Sequence, residues 1–402
     1  MRILLIGATG LIGAAVAARL DRDGHALTGV GRSAGADARR LPIDRWVRLD
    51  LRQATAEQDW LAHLQGIEAV VNCAGVLQDS GRDSTARVHR DAPAALWRAC
   101  AQAGVRRVIQ MSAMGVDRGA LTDFSRSKAE GDAALEASGL DWVILRPSVV
   151  VGRPAYGGSA LLRGLAALPV VPRTPDAGPL DIVQLDDVAE TVARLLRPGA
   201  ASRVALELAG PDRLGFDEVI AAYRRWLGWR PPVRSTARRE IVRGATGDGR
   251  AWREATGIEP QSLAAALAAE PASVQERWFA RLYLLKPVAI GCFSLFWLVT
   301  GLVSLGPGFA LAIADMQRGG AGPLSAPGVV AGAAADILIG CAIAWRPTAR
   351  RGLQAALLVS LFYVVAGTLL LPGLWRDPLG PMMKIWPVLT LNLLCLAILD
   401  ER

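Results

Sequence analysis

Short apolar runs alternate with longer amphipathic stretches from Met1 to about Ala209. That pattern predicts a parallel sheet with strands buried on both faces and helices connecting them. The runs place strands at Arg2–Ile6, Ala26–Val30, Val47–Asp50, Ala69–Asn72, Arg107–Met111 and Trp142–Arg146, and helices at Leu11–Arg19, Pro93–Ala103 and Ser127–Ala137. Gly24, Gly104 and Gly139 fall just past helix ends, where a left-handed residue is wanted. From Val150 to Pro179 glycine and proline break the pattern. A helix at Leu185–Leu196, a strand at Arg203–Leu208 and a helix at Phe216–Leu227 then complete a smaller lobe. The fold class expected for residues 1–230 is α/β, a doubly wound parallel sheet. Residues 231–285 are Arg-rich and read as a linker ending in an interfacial helix at Val274–Leu285.

The pattern changes in residues 286–402, where four apolar segments follow one another. Pro287–Leu305, Pro327–Trp345 and Leu353–Leu371 are close to the ~20 residues that span a bilayer. Ile385–Leu399 reaches that length by including Met382–Lys384, with the lysine snorkelling. The expectation is an all-α, four-helix transmembrane domain. Arg277, Arg281 and Lys286 precede the first span, and Arg346, Arg350 and Arg351 lie between the second and third. The other two loops carry Arg318 with Asp315, and Arg376 with Asp377, Lys384 standing at the far edge. This asymmetry puts both termini on the cytoplasmic side of a cell inner membrane of bacterial type.

Composition agrees with a soluble half followed by a membrane half. The chain of 402 residues is 52% hydrophobic and 20% charged, and most of the charge lies in about the first 280 residues. A net charge of +8 comes from scattered arginines without interleaved aromatics, so a nucleic-acid partner is not expected. Five cysteines form no CxxC pair and three histidines lie far apart, which supports neither a disulfide framework nor a metal site. The opening run MRILLIGATG is too short and glycine-broken for a signal peptide, so the first domain is expected in the cytoplasm.

The chemistry begins at Gly7-Ala8-Thr9-Gly10-Leu11-Ile12-Gly13, directly after a strand and opening a helix. In that context the glycines give a tight turn, close approach of a pyrophosphate and close helix–strand packing. Phosphate oxygens then meet free N–H groups at the helix N-terminus.

The spacing GxxGxxG, with the motifs that follow it in order, resembles the extended and atypical short-chain dehydrogenase/reductases, which are epimerase-like Rossmann proteins. Asp50-Leu51 looks like the pair contacting adenine, and Asn72-Cys73-Ala74-Gly75 like the NNAG-type turn. Ser112 ends the fifth strand, Lys128 sits in Ser-Lys-Ala-Glu, Leu145-Arg146-Pro147…Gly152 matches an RP…G signature, and Leu185–Ala189 a "V-DD-VA" segment. The resemblance covers about residues 1–230 and implies a nicotinamide dinucleotide. An acid that binds the adenosine ribose should close the second strand, ~20 residues after the glycines. Here the chain reads Val30-Gly31-Arg32-Ser33. A guanidinium and a hydroxyl suit a 2′-phosphate, so NADP(H) is expected over NAD(H).

The resemblance also implies a Tyr-x-x-x-Lys pair, in which the cation lowers the phenol's pKa. The matching stretch is Phe124-Ser-Arg-Ser-Lys128: the lysine is present and the phenol is not. His89 stands where other members carry asparagine, and Ala113 follows Ser112 in place of a second hydroxyl. Three readings are open. Lys128 holds the nicotinamide ribose in a module without chemistry, such as an accessory or assembly subunit of a membrane complex. Alternatively Tyr156, Ser125 or a water on Lys128 replaces the phenol in a reductase or isomerase. The third is a shifted register of this helix. The expected catalytic set is Lys128, Ser112 and Tyr156.

Leu295–Gly301 and Trp375–Pro381 resemble DoxX-like membrane domains. Tethering would raise the local concentration of an apolar or membrane-borne substrate at the nucleotide domain, so a lipid or quinone is the expected substrate class, the quinone by analogy only. Asp336 falls at mid-span on a ridge with Gly328, Gly332, Gly340 and Ala344, spaced four apart so that they share one face. Asn392 lies at similar depth and is the expected partner of Asp336, in a structural pair or a proton or quinone site.

Overall fold

The computed structural model describes residues 1–32, 40–80, 83–119, 122–173, 178–230, 233–238, 244–378 and 380–400. It forms two compact units, Met1–Arg277 and Trp278–Arg402.

The first unit is built on seven parallel strands: β1 (Arg2–Ile6), β2 (Ala26–Gly31), β3 (Arg45–Arg48), β4 (Ala69–Asn72), β5 (Arg107–Met111), β6 (Trp142–Pro147) and β7 (Val204–Leu208). Their order is β7-β6-β5-β4-β1-β2-β3, so the chain runs outward from β1 in both directions and leaves a switch point between β1 and β4. The apolar runs are continuous because both faces are covered. Ile3, Leu5, Val71, Ile109, Val143 and Leu145 enter one core, with helices α1 (Leu11–Arg22) and α5 (Leu185–Leu195). Leu4, Ile6, Val70, Val108 and Ile144 enter the other, with α2 (Ala92–Ala103) and the buried Trp60 and Trp97. Helix α3 (Asp123–Glu136) is capped by Thr122, whose side chain accepts from Ser125 N, and starts four residues earlier than the expected Ser127. Gly24, Gly104 and Gly139 have φ of 75°, 72° and 73°, as expected.

The stretch expected to be a linker folds differently. Trp252 is fully buried and donates from Nε1 to Thr191 Oγ1 at 2.8 Å, and Ile258 joins the same core. A short helix at Arg250–Thr256 carries Trp252, and Ile258 lies between it and a second at Leu263–Ala269. Apolar residues set far apart among arginines give no periodic signal, so composition alone read this region as exposed chain. Helices α4 (Gly157–Ala166) and α6 (Phe216–Trp226) complete the smaller lobe.

In the second unit no separate interfacial helix precedes the first span. One 32-residue helix, α7 (Val274–Leu305), runs through Pro287. With α8 (Ser325–Ala344), α9 (Ala349–Leu370) and α10 (Pro381–Ile398), it gives four helices long and apolar enough to cross a membrane. The loop expected between the first two spans holds a further helix, Phe309–Arg318. The glycine ridge packs as its spacing implied. A Cβ on Gly340 would lie 2.9 Å from Leu298 N, and one on Gly332 would lie 3.6 Å from Tyr363 Oη. The expected Asp336–Asn392 pair is replaced by two others. Tyr363 Oη donates to Asp336 Oδ1 at 3.2 Å, and Asn392 Nδ2 donates to the Leu353 carbonyl at 3.1 Å. Equal depth did not imply facing sides, because rotation about each helix axis decides which groups meet.

Candidate functional site

The glycine turn after β1 sits at the switch point and closes on itself, Gly10 N donating to Gly7 O at 3.0 Å. Gly7 takes φ of 73°, and a Cβ there would stand 2.8 Å from Ala74 N. A Cβ on Gly13 would stand 2.2 Å from Gly7 O, so α1 lies directly against the turn. Gly10 caps the helix without a side-chain bond, which leaves the first-turn N–H groups to an anion. Thr9 is exposed at the turn, Leu11 is half-buried, and Ile12 packs against the core beneath. This cradle, which any side chain would fill, fits a dinucleotide pyrophosphate.

Opposite it, the chain leaving β4 is held open for the cofactor by side chains. Asn72 Oδ1 accepts from Ala74 N at 3.1 Å, and its Nδ2 donates to Gln110 Oε1 at 2.8 Å. Cys73 is packed here, and burial pushes its thiol up to about 12, so it stays protonated. His89 Nε2 accepts from Val76 N at 3.0 Å, which places the ring proton on Nδ1, 2.9 Å from Ser127 Oγ. Ser127 Oγ in turn donates to the Phe124 carbonyl at 3.1 Å. Burial, and then the Lys128 charge, hold His89 down at about 3, so it is a neutral brace rather than an acid. A π turn over Arg87–Asp91 sets this ring, forced where Gly131 of α3 comes so close that a Cβ would overlap the His89 carbonyl, at 2.0 Å.

Lys128 projects from α3 to the ends of β4 and β5. Its Nζ donates to Met111 O at 2.7 Å and lies 3.5 Å from Ala74 O. A Cβ on Gly75 would be 3.6 Å from both Lys128 Nζ and His89 Nε2, so a side chain here would lie against both groups. Burial draws Lys128 down to about 8, against the opposing pull of Asp132. Phe124 meets His89 edge-on at 5.3 Å and offers no hydroxyl. Ser112 is nearly buried and donates from Oγ to Asp132 Oδ2 at 2.7 Å. Asp132, one turn beyond Lys128, is raised by burial and lies 3.4 Å from Arg146 Nε, which belongs to a guanidinium also paired with Asp117 at 2.7 Å. The Ser112 proton is thus directed at a carboxylate inside the protein.

Beyond β3, Asp50, expected to contact adenine, is gripped by Arg52, at 2.6 Å from Nη2, and that guanidinium holds its carboxyl below the usual range. Leu51 packs into the core below. Arg32 pairs with Asp83 at 2.8 Å. Ser33 lies outside the described residues. Tyr156 lines a cavity of about 670 Å³ with Thr9, Gly10, Leu11, Leu185 and Asp187; among the described residues, neither Lys128 nor Ser112 lines it. The geometry therefore sets the glycine turn against Cys73 and Ala74, brings Lys128 Nζ near Ala74 O and Gly75, and places Tyr156 in a cavity with Thr9, Gly10 and Leu11. Sequence patterning missed Asp132, Arg52 and Asp83. Asp132 had a legible signal, since it stands four residues after Lys128 and so shares its helix face.

These features define a nicotinamide-dinucleotide-binding Rossmann domain followed by a DoxX-like helical domain. Residues 7–197 match the family model described as NAD(P)H-binding, and residues 294–393 that of the DoxX-like family. An uncharacterized protein of Mycobacterium tuberculosis is 28% identical over 231 residues, 56% of this chain and 23% of that protein, so the chain spans under a quarter of that relative's length. A protein of Caulobacter vibrioides named ceramide reductase is 23% identical over 236 residues, covering 57% of this chain and 71% of that one. The fold matches UDP-glucose 4-epimerase of Stenotrophomonas maltophila with bound NAD and formylated UDP-arabinopyranose, with a TM-score of 0.57, at 21% identity, over 71% of this chain and 99% of the epimerase.

Proposed function

We propose that this chain is a membrane-anchored oxidoreductase that uses NADP(H) and acts on an apolar or membrane-borne substrate. Lys128 carries the reading. Its Nζ lies beside Gly75 and Ala74 O and, although burial holds it at about 8 in the free protein, cofactor binding favours its charged form, so it serves as the proton donor that replaces the phenol. A nicotinamide dinucleotide bound in the cleft supplies the hydride donor or acceptor. The chain's own groups then do the rest: the glycine turn holds the pyrophosphate, Asn72 and His89 fix the turn after β4, and Lys128 donates to the nicotinamide ribose. Four apolar helices hold the domain at the surface where a lipid or quinone is concentrated. The reductase relative named for ceramide, a membrane lipid, supports that substrate class.

A second reading, a non-catalytic accessory or assembly subunit, has its own observation: Phe124 has no hydroxyl and the Ser112 proton is committed to Asp132. Purified full-length chain in lipid nanodiscs, given NADPH with long-chain aldehydes and a short-chain quinone, separates the two. Turnover in the unmodified chain, lost in Lys128→Ala and increased in Phe124→Tyr, is the expected result. Tight NADPH binding with no turnover in either the unmodified chain or Phe124→Tyr would establish the accessory reading. Loss of turnover in Tyr156→Phe would show that this loop tyrosine supplies the missing phenol.

NADPH is expected to bind more tightly than NADH, through Arg32. Arg32→Ala should weaken NADPH by about tenfold or more, the effect of one charge-assisted contact, with little change for NADH. Titration calorimetry with both cofactors checks this, and equal affinities in the unmodified chain would refute the assignment. The Lys/Arg distribution places both termini in the cytoplasm of a bacterial inner-membrane protein. A reporter joined after Arg402 should be active on the cytoplasmic side, and periplasmic alkaline phosphatase activity there would reverse the orientation.

A further inference from the structure

Arg32 follows β2, Asp83 lies in the chain beyond β4, and β1 stands between those strands in the sheet. The ion pair between them, Nη1 to Oδ1 at 2.8 Å, therefore joins the two flanks of the glycine turn that leaves β1. Asp83 is fixed in place by its own backbone. Its N donates to Ser80 O at 3.3 Å and to Ser80 Oγ at 3.1 Å, and its carbonyl accepts from Ser80 N at 2.9 Å. Asp79 anchors the same segment, accepting from Thr85 N at 2.6 Å and Thr85 Oγ1 at 2.7 Å. The nearby carboxylate at the end of β3 is engaged elsewhere, since Asp50 is held by Arg52, and Arg87 Nη1 donates to the Arg52 carbonyl at 2.7 Å. Among the described residues, Asp83 is thus a carboxylate in direct contact with Arg32, where the sequence at the end of β2 reads Val30-Gly31-Arg32-Ser33 without an acid.

We propose that Asp83 stands in for that missing ribose-binding acid and competes with a 2′-phosphate for Arg32, so that the Arg32–Asp83 pair sets the choice between NAD(H) and NADP(H). The proposal rests on the reading of Arg32 as the 2′-phosphate ligand. A carboxylate accepts from ribose hydroxyls, so Asp83 favours the 2′-OH of NAD(H). A 2′-phosphate brings more charge and its own acceptor oxygens, so it displaces Asp83 from the guanidinium and is repelled by the carboxylate it displaces. The pair is half exposed, 52% for the Arg32 side chain and 29% for Asp83, and such pairs yield easily to a stronger anion. One site then accepts both cofactors, Arg32 serving one and Asp83 the other.

The test is titration calorimetry of NADPH and NADH against full-length chain in nanodiscs, comparing the unmodified protein with Asp83→Asn and Asp83→Glu. Asp83→Asn keeps the side-chain shape and removes the charge. It should tighten NADPH by about three- to fivefold and weaken NADH by about fivefold or more, opposite shifts that general damage to the fold cannot produce. Asp83→Glu keeps the charge and should keep the unmodified order of affinities. If Asp83→Asn moves both cofactors the same way, or moves neither, the proposal is overturned. A failure of the NADP(H) preference reads differently: the unmodified chain then favours NADH, and opposite shifts in Asp83→Asn still uphold the role of Asp83.

Discussion

Gly13→Ala should abolish dinucleotide binding and lower the stability of the nucleotide domain, while Gly10→Ala should leave the fold nearly intact. The two glycines are three residues apart in one turn, and the difference lies in what an added methyl meets. At Gly13 it would stand 2.2 Å from Gly7 O and 2.8 Å from Gly7 C, both backbone atoms of the turn that receives the pyrophosphate. Neither can swing aside, so α1 must draw back from β1, which opens the packing of Val16, Ala17 and Leu20 against the sheet. Overpacking of this kind costs about 1–3 kcal/mol, and here it also moves the helix N-terminus away from the phosphate. At Gly10 the methyl would stand 3.2 Å from Gly7 O, with φ at −77°, a conformation any residue adopts. Thermal unfolding should therefore rank the unmodified chain and Gly10→Ala together, well above Gly13→Ala. NADPH titration should detect no binding in Gly13→Ala. Retained binding there would mean that the cofactor does not approach this turn.

NADPH affinity should be level below pH 7 and should fall by about tenfold between pH 7 and pH 9, a loss that Lys128→Ala removes. Burial holds the Lys128 ammonium at about 8 in the free protein, below its ordinary 10.5. Ribose hydroxyl oxygens accept from the ammonium, so bound cofactor favours the charged form and raises that value. Binding then takes up a proton at any pH between the two values, and affinity falls as pH rises through 8. Stability of the free protein moves the other way. The unfolded chain binds more protons than the folded one between about 8 and 10.5, so Lys128 makes the domain more stable as pH rises across that window. Calorimetry in two buffers of different ionisation heat reads the proton uptake directly. Affinity in the unmodified chain that is independent of pH up to 9 would remove Lys128 from the ribose.

The sheet was legible because its physics is local. Strands such as Ile3–Ile6 and Ala69–Val71 are buried on both faces and read as unbroken apolar runs, and the glycine turn announces itself by position. The glycine turn was legible from its spacing at Gly7–Gly13, and the structure sets Cys73 and Ala74 against it with Lys128 Nζ near Ala74 O. What stayed hidden depends on contacts between distant parts of the chain. Ser112 meets Asp132 across a strand–helix packing, and Arg32 meets Asp83 across β1, so neither separation has a pattern to read. The same holds for Tyr363 and Asp336, where a mid-span carboxylate signalled the need for a partner without naming it.

Trp252 is buried against Thr191 in the core of the nucleotide domain, although all seven strands of the sheet are complete by Leu208. Synthesis runs in one direction, so the domain's last core residues leave the ribosome just before the helix that opens the membrane half. Until Trp252 and Ile258 emerge, their face of the sheet has α1 and α5 but lacks its last core residues. Closure of the nucleotide domain's core and emergence of the first long apolar helix thus fall within a few dozen residues of each other. A stall in that interval would leave a half-closed domain beside an exposed apolar helix, the state in which a chaperone is most needed.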